Sequence, residues 1–209
     1  MKTEFVDVYD ESLKITGITE RETAHRIGSL HKTAQWWLID SDSVYFQIRG
    51  KNVAFPGLLD ATVGGHISAG ESAEEALLRE IEEEVGIRLR TSELTFVGQN
   101  KFDYKGKGVH VREFSEVYFT KAKKKFRTFR PDPTELYGVA AVPFRFGREL
   151  IQGKTAYLSL KVMLADEKER NETLLEIGKK SFVPGNFVYF ERVLEIGELF
   201  AKGERQVRI

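Results

Sequence analysis

Arg79, Glu80, Glu83 and Glu84 stand at helical spacing, and Gly86 closes the segment. On a helix Glu80 lies three and four residues from Glu83 and Glu84, so three carboxylates project over one face with Cβ atoms about 5 to 6 Å apart. Like charges this close repel, and a set of hard oxygen donors suits Mg²⁺ or Mn²⁺ better than zinc. Arg79 supplies only part of the counter-charge. Glu82 should point away from that face.

A loop followed by a helix must hold these residues. Ser72 with Glu75 three residues on forms a capping box, while Ala73, Ala76, Leu77, Leu78 and Ile81 make an apolar stripe. Gly86 can end the helix in the left-handed conformation, so the spacing predicts a helix over about residues 73 to 85. Gly64 and Gly65 before it imply a tight bend or a close approach of backbone to a neighbour.

The rest of the chain alternates strands with a few helices. Residues 5–9 and 13–16 predict a hairpin, and residues 20–26 a helix. Residues 36–39 and 44–48 predict a second hairpin, with Val44, Phe46 and Ile48 alternating against polar neighbours. Strands are predicted at 95–99, 109–120 and 135–142, with a turn at 105–108, and helices at 146–151, 159–169 and 187–201. At 209 residues and 41% hydrophobic content the chain can bury a sizeable core. The expected organisation is one domain: an extension over 1–34, a core over 35–145 and a helical extension over 146–209.

Lys plus Arg equals Asp plus Glu at 32 each, so no global charge favours nucleic acid or an anionic membrane. The absence of cysteine excludes disulfides and thiolate chemistry. No apolar run reaches the roughly 18 residues of a membrane span, and the start lacks the apolar core of a signal peptide, so a cytoplasmic location is expected. Oligomeric state stays open, a homodimer included.

Gly65, five residues, Glu71, seven residues, then Arg79-Glu80-Ile81-Glu82-Glu83-Glu84-Val85-Gly86-Ile87 fits the Nudix box at every fixed position. The chain therefore resembles the Nudix hydrolase superfamily. The resemblance implies an α/β fold, a mixed β-sheet sandwiched between helices, with an N-terminal β extension here. It also implies metal-assisted attack of water on a small-molecule diphosphate, with Glu80, Glu83 and Glu84 as metal ligands. Arg79 and Glu71 are expected to orient those ligands through a salt bridge or the helix start.

Residues 7–11, 25–31 and 55–66 are similar to the isopentenyl-diphosphate-isomerase-like branch of the superfamily. The isomerases place a cysteine where this chain has Gly64. Allylic proton transfer needs an acid on one face and a base on the other, so hydrolysis is expected instead. An isomerase and a non-catalytic binding module are the alternatives, the second opposed by the intact carboxylate set.

Outside the box, Glu113 and Glu116 are three apart and face opposite sides of a regular strand, so one at most enters the site. Glu116 is the favoured base or extra ligand. Arg49, Lys51, Gly65 and His66 are the candidate substrate contacts. His25, His31 and His66 resemble histidine metal ligands of the isomerases, but with the cysteine missing they are expected to be structural or phosphate contacts, and His110 less than that. The run 121–130 interleaves cations and aromatics and is read as a solvated loop.

Overall fold

In the computed structural model, the residues described are 3–51, 53–106, 109–123, 130–165 and 172–209. Strands β1 (Phe5–Tyr9) and β2 (Ile15–Glu20) form an antiparallel hairpin, followed by helix α1 (Arg21–Ile27), which Gly28 ends at φ 74°. Next come β3 (Leu30–Ile39), β4 (Ser43–Arg49), β5 (Leu59–Asp60), β6 (Val63–His66) and α2 (Ala73–Val85). Then follow β7 (Thr95–Gly106), β8 (Val109–Lys121), β9 (Leu136–Pro143), α3 (Phe144–Ile151), β10 (Tyr157–Leu164), β11 (Glu172–Gly178) and α4 (Phe187–Ala201).

Among the described residues eleven strands join one mixed sheet. β3 is its hub. Along one edge β3 pairs in parallel with β8, and along the other it meets β1, β6 and β4, all antiparallel. Being central, β3 is apolar on both faces: Trp36 and Trp37 are both fully buried, in different cores. Trp37 packs with Phe46, Phe119 and Phe190 beneath α3 and α4, whereas Trp36 packs with Tyr45, Leu77 and Ile81 beneath α2. Helices therefore cover both faces. No described helix is long and apolar enough to cross a membrane.

α2 spans Ala73–Val85 with the reciprocal Ser72/Glu75 capping box, and Gly86 closes it at φ 67°. Three expectations need correction. β3 begins at Leu30, inside the segment assigned to the extension, because the chain from His31 to Gln35 is already paired with β8. The predicted helix over 159–169 is instead strand β10, which pairs with both β9 and β11; residues 166–169 lie outside the described residues. Leu160 and Val162 are buried between exposed Ser159 and Lys161, a period of two rather than 3.6. The C-terminal extension thus adds two strands to the sheet as well as α4. Residues 107–108 of the predicted turn and 124–129 of the basic run also lie outside the described residues.

Phe190 is fully buried, with its ring centroid 5.6 Å from Phe46, 5.9 Å from Phe182 and 6.0 Å from Trp37. Phe190→Ala should cost about 3 to 5 kcal/mol through lost burial and the cavity left behind. Urea unfolding checks this: the midpoint should fall with the slope unchanged.

Candidate active site

α2 carries the box carboxylates to the rim of a cleft of about 720 Å³, lined by Glu80, Glu83 and Glu84 together with Arg21, Asp132 and Glu135. Arg79 organises the set. Its guanidinium donates to both oxygens of Glu71 at 3.2 and 3.4 Å and to Glu80 Oε1 at 2.7 Å, and lies 3.5 Å from Glu83 Oε2. Glu71 in turn accepts the backbone N–H of Ser68, so it ties Arg79 to the loop before the helix. Glu82 points elsewhere and pairs with Arg88 at 2.6 Å.

Counter-charge stops short of Glu84. Its Oε2 is buried with no hydrogen-bond partner among the described residues. Burial raises its pKa well above the ordinary carboxylate range, and the neighbouring Glu80 and Glu135 carboxylates add to the rise. Burial also raises Glu80, against the pull of Arg79. A cation placed against Glu80 and Glu84 would supply the missing charge, so the donor set fits a hard divalent ion.

A second cavity, about 340 Å³, shares Glu80, Glu84, Glu135 and Arg21 with the first and runs on past Gly65 and His66 to the aromatic wall of Phe55 and Phe102. Against this cavity lies a cluster of three histidines and one carboxylate. His25, His31, His66 and Glu113 each offer one ligand atom, all within 4.8 Å of one another. His25 Nε2 is 3.2 Å from both His31 Nε2 and His66 Nε2, and Glu113 Oε1 is 3.6 to 3.8 Å from all three. His31 Nδ1 lies 2.9 Å from the Ser29 carbonyl and donates to it, which turns Nε2 toward the cluster. Burial pushes the His66 pKa down to about 3, so that ring is neutral. Three converging ring nitrogens and one carboxylate, with one ring N–H anchored to a backbone carbonyl, form a donor set that could hold a transition metal. The sequence expectation of structural histidines is met to the extent that the three rings lie within hydrogen-bonding distance of one another. The resemblance marks the three histidines, and what it misses is Glu113, which only the pairing of β3 with β8 brings to them.

Glu116 requires correction. It accepts from Lys32 Nζ at 2.5 Å and Tyr118 OH at 2.8 Å, lines neither cavity, and leaves Glu113 as the strand carboxylate of the site. Arg49 lines the second cavity and donates through Nη1 to Asp60 Oδ2 and through Nε to the Ala54 carbonyl. Lys51 is exposed and lines neither cavity. His110 pairs with Asp103 at 3.0 Å, away from both.

The adjacent glycines differ. A Cβ at Gly65 would collide with the Glu80 side chain, whereas one at Gly64 would meet nothing nearer than Gln35 Cγ at 3.8 Å. Gly65→Ala should therefore cost about 1 to 3 kcal/mol through overpacking, and Gly64→Ala much less. Parallel urea melts of the two variants check the contrast.

Comparison with known proteins agrees with this geometry. An uncharacterized Nudix hydrolase of Clostridium acetobutylicum is 28% identical over 202 residues, covering 93% of this chain and 97% of the relative. An isopentenyl-diphosphate Delta-isomerase of Salmonella agona is 27% identical over 183 residues, covering 84% and 98%. A crystal structure from Deinococcus radiodurans shares the fold at a TM-score of 0.55 and 22% identity, covering 72% of this chain and 90% of that one. The NUDIX domain model matches residues 30–149 of the 209, and with that match over a complete box the chain belongs to the Nudix family and is a Nudix hydrolase, of the class that cleaves pyrophosphate linkages.

Proposed function

We propose that the chain acts as a single unit, a Mg²⁺- or Mn²⁺-dependent hydrolase of a diphosphate linkage in a nucleoside diphosphate derivative or another small organic diphosphate. The observation that carries this is the buried, unpartnered Glu84 Oε2 beside Glu80, a carboxylate site short of positive charge. When bound, the divalent ion would neutralise phosphate oxygens and acidify a water molecule. Glu80, Glu83 and Glu84 would hold it. Arg79 keeps Glu80 and Glu83 in place from outside the ligand set, and Glu71 keeps Arg79. Arg21, common to both cavities, and Arg49, in the second, are the cations nearest the phosphate end, and each is already paired with one carboxylate, Glu4 and Asp60 respectively.

The His25, His31, His66 and Glu113 cluster is proposed to hold a transition-metal ion, supported by the convergence of its donors. That cluster, together with the Salmonella relative's name, favours isomerisation of isopentenyl diphosphate as the second reading. Gly64 opposes it. The position has room for a side chain yet carries none, so no proton donor stands at the head of the box.

Glu83→Gln and Glu84→Gln should each remove most turnover while the fold survives, because an amide keeps the shape and loses the charge, at several kcal/mol of transition-state stabilisation. Glu82→Gln should be close to wild type. Release of labelled phosphate product from ¹⁸O water, with a panel of nucleotide sugars, nucleotides and isoprenoid diphosphates, measures this. Deuterium entering dimethylallyl diphosphate from heavy water would instead establish the isomerase. Separately, elemental analysis of purified protein should find about one transition-metal ion per chain, lost in His66→Ala; wild-type protein free of such metal after growth in supplemented medium would remove the second centre.

A further inference from the structure

Gln35 lies in β3 opposite Gly64 of β6, and it lines the second cavity between the histidine cluster and the box. Its carboxamide is held from behind. Trp37 Nε1 donates to Tyr189 OH at 2.8 Å, and Tyr189 OH donates to Gln35 Oε1 at 2.5 Å. An indole N–H can only donate, so Tyr189 receives that hydrogen and must place its own elsewhere. Tyr189 is buried, and burial raises its pKa, so the phenol keeps its proton and needs an acceptor. Gln35 Oε1 is that acceptor. The proton count therefore settles the orientation of the amide: the oxygen faces Tyr189, and the NH₂ faces the cavity. Among the described residues, no group accepts from that NH₂.

From this relay we infer that Gln35 is a specificity-determining donor, which reads a hydrogen-bond acceptor on the organic group attached to the diphosphate. The inference rests on the diphosphate reading above. The cavity divides in the way it requires. Glu80, Glu84, Glu135 and Arg21, shared with the outer cleft, mark the end for phosphates and their cations, while Gln35, Asn186, Phe55 and Phe102 belong to the inner cavity alone. Phe55 and Phe102 are both packed against Tyr104, with centroids 4.9 and 6.3 Å away, and give a firm apolar wall. A planar group with a carbonyl or ring nitrogen would satisfy both the wall and the amide. An alkenyl chain would satisfy the wall only and would strip water from a donor left without a partner. Sites built around such a donor reject analogues that lack the acceptor.

The test reads binding without turnover. Calorimetry with Mg²⁺ compares α,β-methylene-ADP and α,β-methylene-UDP with the methylene-bridged analogue of geranyl diphosphate, in wild type, Gln35→Leu, Tyr189→Phe and the double variant. The wild type should bind at least one nucleotide analogue at least tenfold more tightly than the geranyl analogue, and Gln35→Leu should erase that margin while leaving geranyl affinity equal or higher. Tyr189→Phe should reduce the margin, since the amide is then free to turn, and should add nothing to Gln35→Leu. A general structural role would weaken all three ligands together. A wild type without the margin, or a margin that survives Gln35→Leu, overturns the inference. Loss of hydrolysis is scored in the separate turnover assay, so the two readings can fail independently.

Discussion

The register between β3 and β8 governs what the site can contain. These strands run parallel with His31 opposite Glu113, Thr33 opposite Ser115, Gln35 opposite Val117 and Trp37 opposite Phe119. Side chains alternate across a sheet, so those odd-numbered residues share one face. The cluster, the cavity and the larger aromatic core all lie along that face. The opposite parity goes to the other side, where Lys32 pairs with Glu116 and Trp36 Nε1 donates to Thr120. A slip of one residue would exchange the two sets, taking His31 and Gln35 out of the site together. The buried Thr33 to Ser115 hydrogen bond, 2.7 Å long, is a polar pin against such a slip, because neither hydroxyl has water to fall back on.

On that frame the electrostatics are unbalanced by construction. Glu80, Glu84, Glu113, Glu135 and Asp60 line one cavity with Arg21 and Arg49. Arg49 is committed to Asp60, and Arg21 to Glu4 at 2.7 Å. Arg79 answers Glu80 and Glu83 but does not reach Glu84. Gly65 is part of the same arrangement, since its missing side chain is the space that Glu80 occupies. Carboxylates crowded against backbone with too few cations are costly in a folded chain, a cost that persists where a site binds positive charge.

Local features were legible in the sequence where the physics is local. The Ser72/Glu75 cap, the stripe along Ala76, Leu77 and Ile81, and Gly86 together delimit α2 at both ends. The box spacing marked Arg79 and the carboxylates for one face because three- and four-residue steps meet on any helix. What could not be read was pairing between distant strands. His31 and Glu113 are 82 positions apart, and only the β3–β8 register makes them neighbours, so the parity rule could tell that Glu113 and Glu116 diverge but not which one faces inward. Residues 157–164 misled for a different reason. Leu158, Leu160, Val162, Met163 and Leu164 carry an alternation and then an apolar run, compatible with either period until β9 and β11 are seen on both sides.

The same charge imbalance constrains how a diphosphate can enter. A bare diphosphate approaching Glu80, Glu84 and Glu135 meets like charge in a partly buried cleft, where screening by salt is weak. Arg21 alone cannot offset that repulsion. Counter-charge must therefore arrive before the diphosphate or with it, and the carboxylates that hold the counter-charge also exclude anions that lack it. The carboxamides of Gln35 and Asn186 in the inner cavity carry no charge and add nothing to this step. Charge at the outer end would govern whether a diphosphate is admitted, and hydrogen bonding at the inner end would govern which one, so the two selections act on different parts of the same molecule.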